Sequence, residues 1–402
     1  MPGGRDGRCE DLLRIVMVAH AFPPTVGGVE THLADLSRAL RRRSHEVACL
    51  VGGDRDADES YAGVAVHRRT ALAPPRLLGA RDRAALRGEI AESLAGLLQA
   101  GAPRIVHLHN AHHFGAELAE GAFAAAARCG GARPALVNSV HDHTGEHVCA
   151  SVVDLPWDHL IYVSEFMLRA LPTSRPSSTL LLGIDVDAFA AVGAPHPLLA
   201  DLERPVVFHP ARLLRWKGVG VGLDAFLRVR ATLGRGSLVL CASEQVVGDR
   251  AEIAGLRDEL QATARRVGAE GHVHFHEFPR DEIAAAYRAS DLVWYPTLED
   301  EPYGLVPLEA MAVGVPLIVT DSGGMTETVH PGVTALVVPK GDPGALARDA
   351  LRLLTDGELR ARLVAAGRRR VADFELHAFV PRLEEVYRRS LRAVREESVG
   401  RP

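Results

Sequence analysis

Short apolar runs alternate with helix-length amphipathic segments along almost the whole chain. Candidate strands such as Arg14–Ala19 are separated by helical patterns such as Glu30–Arg43 and Ala80–Gln99. Strands that alternate with helices predict βαβ units and a parallel sheet, so we expect an α/β fold. The predicted strands are Arg14–Ala19, Glu46–Val51, Arg104–His109, Leu136–His141, Leu160–Ser164, Thr179–Leu182, Pro205–Pro210, Ser237–Ala242, His272–His276, Leu292–Tyr295, Leu317–Thr320 and Ala335–Val338.

The alternating pattern lapses once, in a proline-containing stretch near residues 184–205, and then restarts. Two Rossmann-like halves of similar size, each doubly wound around its own sheet, are therefore expected. The predicted domains are residues 1–185, residues 186–380, and a C-terminal helix over 381–402. Ligands of doubly wound folds bind outside the carboxyl ends of the strands, which predicts a cleft between the two domains.

Composition excludes several classes of protein. The 402 residues carry a formal net charge of −5, so the chain has no global basic field for bulk nucleic-acid binding. No apolar run is long enough to span a membrane, and the five cysteines form no CxxC pair. We therefore predict a cytoplasmic protein with reduced thiols. Peripheral membrane contact stays open, through a basic helix face that also fits simple solvation: Arg76, Arg81, Arg83 and Arg87.

Lysine is rare in this chain: of 46 basic residues only Lys217 and Lys340 are lysines. Codon bias explains the general preference for arginine. Lys217 follows Arg212 in a turn after the first strand of the second half. Two cations at the carboxyl end of a strand suit a pyrophosphate, which arginine grips bidentately and lysine meets as a point charge. A solvated basic turn fits this segment equally well.

Two glutamates stand eight positions apart around the predicted start of a helix. Glu301 precedes the helix and Glu309 lies within it, so their carboxylates are expected on nearly one helix face. Carboxylates accept hydrogen bonds from sugar hydroxyls, which suits ribose or hexose recognition. Backbone N–H groups of Tyr303, Gly304 and Leu305 are expected to point at the same ligand. The alternative is a capped helix with one solvated glutamate, although the apolar neighbours of Glu309 disfavour it.

The first strand is followed by a loop that ends in Gly27 and Gly28 and leads directly into a helix. Paired glycines allow close backbone approach, and a helix N-terminus favours an anion. An ordinary βα turn is the simpler interpretation, and the GxGxxG fingerprint of nicotinamide dinucleotide folds is absent from this loop.

Histidines cluster in two segments, His107–His113 and His141–His143. The first spacing is similar to that of dinuclear metal hydrolases, which need a carboxylate where this chain has Ala111. We therefore predict no metal site. His141 is better explained as a hydrogen-bonding residue at a strand end, facing the cleft.

Taken in order, several short motifs form one pattern. They are Pro24–Glu30 (PxxGGxE), His107–Asn110, His141–Asp142, Val163–Phe166, Gly183–Asp185, Arg212–Gly218 (RxxxxKG), Glu301–Glu309 (E-x7-E), Asp321–Gly324 and Glu327. This pattern resembles the GT-B glycosyltransferases of the retaining family 4 over most of the chain. Leu182 departs from the asparagine usual before Gly-Ile-Asp, which puts the hinge in doubt more than the chemistry.

The resemblance implies roles for the donor site. Arg212 and Lys217 would bind the diphosphate and stabilise the leaving group, Glu309 would bind the ribose, and Glu301 the hexose hydroxyls. Electrostatic stabilisation of this kind needs no metal or other cofactor. The remaining implied donor-binding residues are Gly27, Gly28, Tyr303, Gly304, Leu305 and, in the base-binding loop, Arg280.

The resemblance also implies roles in the first half of the chain. His141 would act as a catalytic residue that contacts the donor sugar near its 6-position. Asp142 or a neighbour would orient the acceptor, with His109 and Asn110 on the same acceptor side.

The predicted activity is retaining transfer of a hexose or N-acetylhexosamine from a nucleotide-diphosphate sugar, preferably a UDP-sugar, to an acceptor hydroxyl. The resemblance implies front-face displacement, in which the leaving phosphate takes the acceptor proton. The predicted acceptor is a small polar natural product. The alternatives are a GDP-mannose-dependent transferase acting on an envelope lipid or polysaccharide precursor, a phosphorylase, a metal-dependent hydrolase using the histidine clusters, and a non-catalytic sugar-nucleotide-binding protein.

Overall fold

The computed structural model describes residues 12–73, 82–99, 105–130, 132–143, 150–191, 193–242 and 250–399. The chain divides into two compact units. The first contains Met1–Leu182 and Leu376–Pro402, and the second contains Gly183–Glu375. The predicted domain boundaries at 185/186 and 380/381 lie three and five residues later in the sequence than these divisions.

The first unit contains an eight-stranded sheet in the order β3-β4-β2-β1-β5-β6-β7-β8. All neighbouring strands are parallel except β3, which runs antiparallel to β4. The strands are β1 (Arg14–Ala19), β2 (Glu46–Gly52), β3 (Ala57–Tyr61), β4 (Val64–Arg69), β5 (Ile105–His109), β6 (Ala135–Val140), β7 (His159–Tyr162) and β8 (Ser177–Thr179). The helices are α1 (Gly28–Arg42), α2 (Arg83–Gln99), α3 (Glu117–Ala127) and α4 (Glu165–Ala170).

The second unit contains a six-stranded, fully parallel sheet in the order β11-β10-β9-β12-β13-β14. The strands are β9 (Val206–His209), β10 (Ser237–Cys241), β11 (Val273–His276), β12 (Leu292–Tyr295), β13 (Leu317–Thr320) and β14 (Leu336–Val338). The helices are α5 (Val186–Ala190), α6 (Pro197–Ala200), α7 (Val219–Leu233), α8 (Arg250–Arg266), α9 (Ile283–Ala289), α10 (Val306–Val313), α11 (Pro343–Thr355) and α12 (Gly357–Val371).

Central strands are buried along their whole length, as expected for parallel sheets covered by helices on both faces. Every residue of β6, β9 and β12 is buried. Helix α11 is amphipathic: Leu346, Ala350 and Leu353 are fully buried on its inner face. These patterns confirm the predicted α/β fold with two parallel sheets.

A last helix, α13 (Leu376–Val399), returns to the first unit after the second unit is complete. Glu384, which is 2% exposed, accepts hydrogen bonds from Arg43 Nε at 2.5 Å and Arg43 Nη2 at 3.0 Å. Its Oε1 also lies 2.8 Å from His45 Nε2, and Tyr387 lies against the sheet with its hydroxyl 2.7 Å from His107 Nδ1. The return of the C-terminal helix to the first unit is thereby confirmed.

The β3–β4 hairpin was not among the predicted strands. Ala57–Tyr61 is mostly exposed and carries Asp58 and Glu59, so it lacks an apolar run. It lies at the sheet edge, where charged side chains protect an unpaired strand from aggregation. The predicted strand over Thr179–Leu182 is also displaced: β8 is the more polar Ser177–Thr179, another edge strand.

Candidate functional site

The turn that carries Lys217 in the second unit, called the lysine turn below, depends on one glycine at its end. After β9 ends at His209, the chain makes a short 3-10 helix over Arg215–Lys217 and reaches Gly218 with φ +74°. A side chain at Gly218 would overlap the carbonyl oxygen of Pro296. Only glycine therefore lets this turn lie directly against the end of β12.

The buried side chains of Lys217, Tyr295 and Glu301 are all hydrogen-bonded to one another. The ammonium group of Lys217 donates to the hydroxyl of Tyr295 and, at 2.6 Å, to Glu301 Oε2, and it lies 3.7 Å above the ring of Trp216. Lys217 is only 6% exposed and Glu301 only 8%. A buried ion pair needs further hydrogen bonds to compensate for lost hydration, and the hydroxyl of Tyr295 supplies them to both partners.

The loop that carries Glu301 is held by the segment after β13. The backbone N–H of Glu301 donates to Ser322 Oγ at 3.0 Å, and the N–H of Gly324 donates to the Glu301 carbonyl at 2.8 Å. Gly323 has φ +48°, and a side chain there would overlap the Glu301 carbonyl. The Asp321–Gly324 motif found in the sequence thus anchors the loop of the first glutamate.

Glu309 has a separate set of partners. Its Oε1 accepts from Arg280 Nη1 at 3.1 Å, and its Oε2 accepts from the hydroxyl of Tyr287 at 2.8 Å. Like Glu301, Glu309 is 8% exposed. Each carboxylate of the E-x7-E motif is therefore held by one cation and one buried tyrosine.

The expectation that both carboxylates share one helix face is wrong. Helix α10 begins only at Val306, and Gly304 in the preceding turn has φ +82°. Glu301 therefore lies on a loop that precedes the helix carrying Glu309. The predicted N–H donors Tyr303, Gly304 and Leu305 form the turn that enters this helix, and Tyr303 is buried.

Tyr295 lies among most of the predicted donor-site charges. Burial raises the pKa of its phenol well above the ordinary value, and Glu301 and Glu309 raise it further while Arg212 lowers it. Lys217 and Glu301 hydrogen-bond this hydroxyl directly, and Arg212 and Glu309 lie close enough to shift its pKa. The hydroxyl of Tyr295 stays protonated there and can donate one hydrogen bond.

His209, the last residue of β9, is also fully buried beside the lysine turn. Burial lowers the pKa of this imidazole to about 3, and Lys217 acts in the same direction. His209 is therefore neutral at physiological pH and adds no competing charge to the lysine site.

In the first unit, Gly27 caps helix α1 and Gly28 is its first residue. A side chain at Gly27 would overlap the carboxylate of Glu30, so this carboxylate lies at the helix N-terminus. A negative charge there is stabilised by the helix dipole. The predicted anion site at Gly27 and Gly28 therefore includes an acidic neighbour, which was noted in the sequence only as part of the motif.

Buried histidines form a cluster at the ends of β5 and β6. His109 Nδ1 and His141 Nε2 are hydrogen-bonded at 3.1 Å, and the rings of His107 and His109 lie 4.2 Å apart. Burial lowers the pKa of all three well below 6.5, and neighbouring imidazoles lower it further. Over the part of the chain that the structure describes, no three or more His, Cys, Asp or Glu residues are grouped so as to hold a metal ion.

A loop after β5 positions the backbone of His141 and Asp142. Asn110, with φ +55°, accepts a hydrogen bond on its side-chain oxygen from the N–H of His141 at 2.7 Å. His112 Nε2 hydrogen-bonds the carbonyl of Asp142 at 2.7 Å, and His113 Nδ1 lies 3.4 Å from its carboxylate. The predicted acceptor-side residues thus lie together, with His112 and His113 as additional members.

The two units each gather their own predicted residues. Those of the first unit follow β1, β5 and β6: Gly27, Gly28, His109, Asn110, His141 and Asp142. Those of the second follow β9, β11 and β12: Arg212, Lys217, Arg280, Glu301, Tyr303, Gly304, Leu305 and Glu309. Two further residues that contact the glutamates, Tyr287 and Tyr295, have no sequence signal beyond membership of apolar elements.

The suggested basic face on α2 is partly neutralised. Arg83 pairs with Glu117 at 3.0 Å and Arg87 with Glu120 at 3.3 Å, whereas Arg76 and Arg81 lie outside the described residues. Among the described helices, none combines the length and the apolar content needed to cross a membrane.

Comparison with known proteins gives two family matches that together cover most of the chain. The profile described as "Glycosyltransferase Family 4" matches residues 26–187, and the profile "Glycosyl transferases group 1" matches residues 195–370. The two matches divide the chain near the boundary between the two structural units.

Similar proteins cover nearly the full chain. A phosphatidyl-myo-inositol mannosyltransferase of Mycobacterium leprae is 26% identical, over 93% of this chain and 96% of its own length. A GDP-mannose-dependent alpha-(1-6)-phosphatidylinositol monomannoside mannosyltransferase of Mycobacterium tuberculosis is also 26% identical, over 89% and 93%. The structure of a sucrose-phosphate synthase from Thermosynechococcus elongatus superposes with a TM-score of 0.74 at 22% identity, covering 95% of this chain and 100% of that one.

Proposed function

The chain belongs to the GT-B glycosyltransferases of family 4, and on that premise we propose that it transfers a hexosyl group from a nucleotide-diphosphate sugar to an acceptor hydroxyl with retention of configuration. One observation carries the proposal. In the second unit, Lys217 and Glu301 hydrogen-bond each other and the hydroxyl of Tyr295. Glu309 and Arg212 both shift the pKa of that hydroxyl. This arrangement supports a site that offers cations to a diphosphate and carboxylates to sugar hydroxyls.

We assign the groups as the family resemblance implies, and the chemistry of each side chain fits its role. Lys217 and Arg212 bind the diphosphate and stabilise the charge that develops on it, Glu309 binds the ribose, and Glu301 the hexose hydroxyls. Arg280 donates a hydrogen bond at 3.1 Å to Glu309, the carboxylate that we assign to the ribose. We therefore assign Arg280 to the nucleoside. In the first unit, neutral His141 supplies a hydrogen bond to the hexose.

The proposed reaction is a front-face displacement. The acceptor oxygen forms a bond to the anomeric carbon as the bond from that carbon to the diphosphate oxygen breaks. The acceptor proton passes to the leaving diphosphate, whose charge Lys217 and Arg212 stabilise. Because these cations perform the electrostatic work, we propose that transfer needs no metal ion or other cofactor.

The names of the relatives favour a second candidate for the donor and acceptor. Both mycobacterial relatives are mannosyltransferases, one is GDP-mannose-dependent, and their names specify phosphatidylinositol-type acceptors. GDP-mannose with an inositol-containing lipid is therefore the first pair to test. The UDP-sugar donor, the small natural-product acceptor and the cytoplasmic location stay predictions from the sequence.

The test is a transfer assay with the full chain. UDP-glucose, UDP-N-acetylglucosamine and GDP-mannose are each offered with phosphatidylinositol vesicles, inositol phosphate and a panel of polar natural products. Nucleotide release and product mass are measured, and the anomeric configuration is determined by NMR. Transfer with retention, unchanged by a chelator, supports the proposal, whereas chelator-sensitive hydrolysis without any transfer product favours a metal-dependent hydrolase.

Matched variants test the site. Lys217→Ala and Glu301→Ala should each lower turnover about hundredfold or more. Turnover is compared at a temperature where each variant is folded, because either change leaves a buried charge unpaired and lowers the melting temperature. Lys340→Ala is the control, since Lys340 forms a more exposed ion pair with Asp300. Wild-type turnover in Lys217→Ala or Glu301→Ala would contradict the assignment. Donor binding without turnover against every acceptor would instead favour a non-catalytic binding protein.

A further inference from the structure

Both carboxylates of the E-x7-E motif accept a hydrogen bond from a fully buried tyrosine. The hydroxyl of Tyr295 donates to Glu301 Oε2, and that of Tyr287 donates to Glu309 Oε2, each at 2.8 Å. The two tyrosines come from different elements, β12 and α9. The same arrangement therefore occurs twice in one site.

We propose that Tyr295 and Tyr287 are positioning residues for transfer, Tyr295 acting through Lys217 and Glu301 and Tyr287 acting through Glu309. This inference rests on the proposed function, because it concerns the groups that bind the donor. Neither tyrosine is needed to contact the donor. Each fixes the orientation of a charged side chain through a hydrogen bond.

The geometry at Tyr295 couples two charged groups. An ammonium group has three N–H donors, and in this site one is directed to the hydroxyl of Tyr295 and one to Glu301. Removing the Tyr295 hydroxyl takes away one of these two acceptors and leaves the Glu301 carboxylate. The ammonium group of Lys217 is then less firmly fixed relative to the position proposed for the diphosphate.

The geometry at Tyr287 concerns one carboxylate. Glu309 is held from one side by Arg280, whose guanidinium is partly exposed, and from the buried side by Tyr287. Without the hydroxyl of Tyr287, the carboxylate can rotate toward Arg280. Ribose binding should weaken, while the reacting bond is not directly affected.

A packing role for the aromatic rings is the alternative explanation. Tyr287 contacts Phe208 at a ring separation of 5.3 Å, and Tyr295 lies on a fully buried strand. Phenylalanine keeps the ring and removes only the hydroxyl. Tyr→Phe substitutions therefore separate packing from positioning.

The two variants should differ in kcat, which only Tyr295→Phe should lower. A hydrogen bond to a charged group contributes enough for a tenfold to hundredfold effect, at about tenfold per 1.4 kcal/mol. We expect Tyr295→Phe to lower kcat by about tenfold to hundredfold. Tyr287→Phe should raise the donor KM by about tenfold with kcat close to that of the wild type. Initial rates of the full chain at varied donor and saturating acceptor measure both constants.

Tyr162→Phe is the matched control. Tyr162 is fully buried in the first unit, where its hydroxyl donates to the Leu171 carbonyl at 2.7 Å. Its loss should lower the melting temperature without changing kcat or KM. Calorimetry with UDP, GDP, UMP and GMP adds a second measurement. Tyr295→Phe should weaken diphosphate binding and leave monophosphate binding unchanged, since Lys217 is assigned to the diphosphate.

Every outcome bears on one of the two proposals. Wild-type kinetic constants in Tyr295→Phe and Tyr287→Phe, with Lys217→Ala and Glu301→Ala inactive, overturn the positioning role and leave the proposed function intact. Active Lys217→Ala and Glu301→Ala overturn the proposed site itself. If Tyr295→Phe does not fold, 3-fluorotyrosine in place of Tyr295 keeps the hydroxyl and lowers its pKa. A changed kcat then supports the positioning role, and an unchanged kcat overturns it.

Discussion

Lys340 forms an ion pair with Asp300, the residue immediately before Glu301, which pairs with Lys217. The only two lysines of the sequence thus bind two consecutive acidic residues. Their surroundings differ: Lys217 is buried with its ammonium group over the ring of Trp216, whereas the pair of Lys340 and Asp300 is partly exposed. This difference provides two matched positions for the same substitution.

We expect Lys217→Arg to lower kcat/KM at least about tenfold and Lys340→Arg to change it less than about twofold. A guanidinium is wider than an ammonium group and does not fit the space bounded by Tyr295 and Glu301 without moving one of them. Donor-dependent transfer rates measure the effect, with melting temperatures as a check on folding. Full activity of Lys217→Arg would mean that codon bias and chance explain both lysines.

Gly218 offers a stability prediction. Alanine at this position must adopt φ +74° and overlaps the Pro296 carbonyl, so Gly218→Ala should destabilise the protein by about 2 kcal/mol or more. The control is Gly220→Ala in the first turn of α7, an exposed position where a side chain contacts nothing. This change should be neutral or stabilise by about 0.5 kcal/mol. Urea unfolding measures both, and equal effects would contradict the close approach to Pro296.

The strands that the sequence predicted well are the buried central ones. Leu292–Tyr295 and Leu317–Thr320 coincide with β12 and β13, because burial on both faces requires uninterrupted apolar runs. The hairpin at the edge of the first sheet was missed, since its strands need not be apolar. A solvent-exposed strand is therefore harder to predict from the sequence than a buried one, because it need not contain an apolar run.

The site was predictable only where its residues carry charge in a fixed spacing. Arg212, Lys217, Glu301 and Glu309 stand out by residue type and separation along the chain. Tyr287 and Tyr295 look like core residues, and their hydroxyls acquire a role only through tertiary contacts. The helix of the E-x7-E motif begins at Val306, later in the sequence than predicted, because a left-handed turn at Gly304 precedes it.

From the lowered pKa of Glu384 we predict that the protein loses stability in acid. Burial raises its pKa, but hydrogen bonds from Arg43 and His45 outweigh this effect and bring the pKa to about 2, below the usual 4.5. The stabilisation is fully present above pH 4.5 and is lost as the pH falls from 4.5 toward 2.

Glu384→Gln should therefore destabilise the protein by about 2 kcal/mol at pH 7, and the difference from the wild type should shrink as the pH approaches 2. Glu385→Gln is the control, because Glu385 is exposed and pairs with exposed Arg392. Urea unfolding at several pH values measures both variants. A constant difference at every pH would show that the carboxylate charge is not responsible.

The buried histidines predict a second pH effect, at higher pH. The pKa values of His107, His109 and His141 lie well below 6.5 in the folded protein because of burial and mutual repulsion. Above pH 6.5 these imidazoles are neutral in both states. Below it the unfolded chain binds protons that the folded cluster excludes, so stability falls with decreasing pH, by up to about 1.4 kcal/mol per pH unit for each histidine.

His107→Gln removes one such proton site and keeps hydrogen-bonding atoms near Ser139 and Tyr387, the two partners of His107. The free energy of unfolding, measured in urea from pH 7.5 to 5, should therefore fall less steeply in this variant than in the wild type. His330→Gln is the control variant, because His330 is exposed and lies outside the buried cluster. Parallel curves for His107→Gln and the wild type would show that the cluster takes up protons without unfolding.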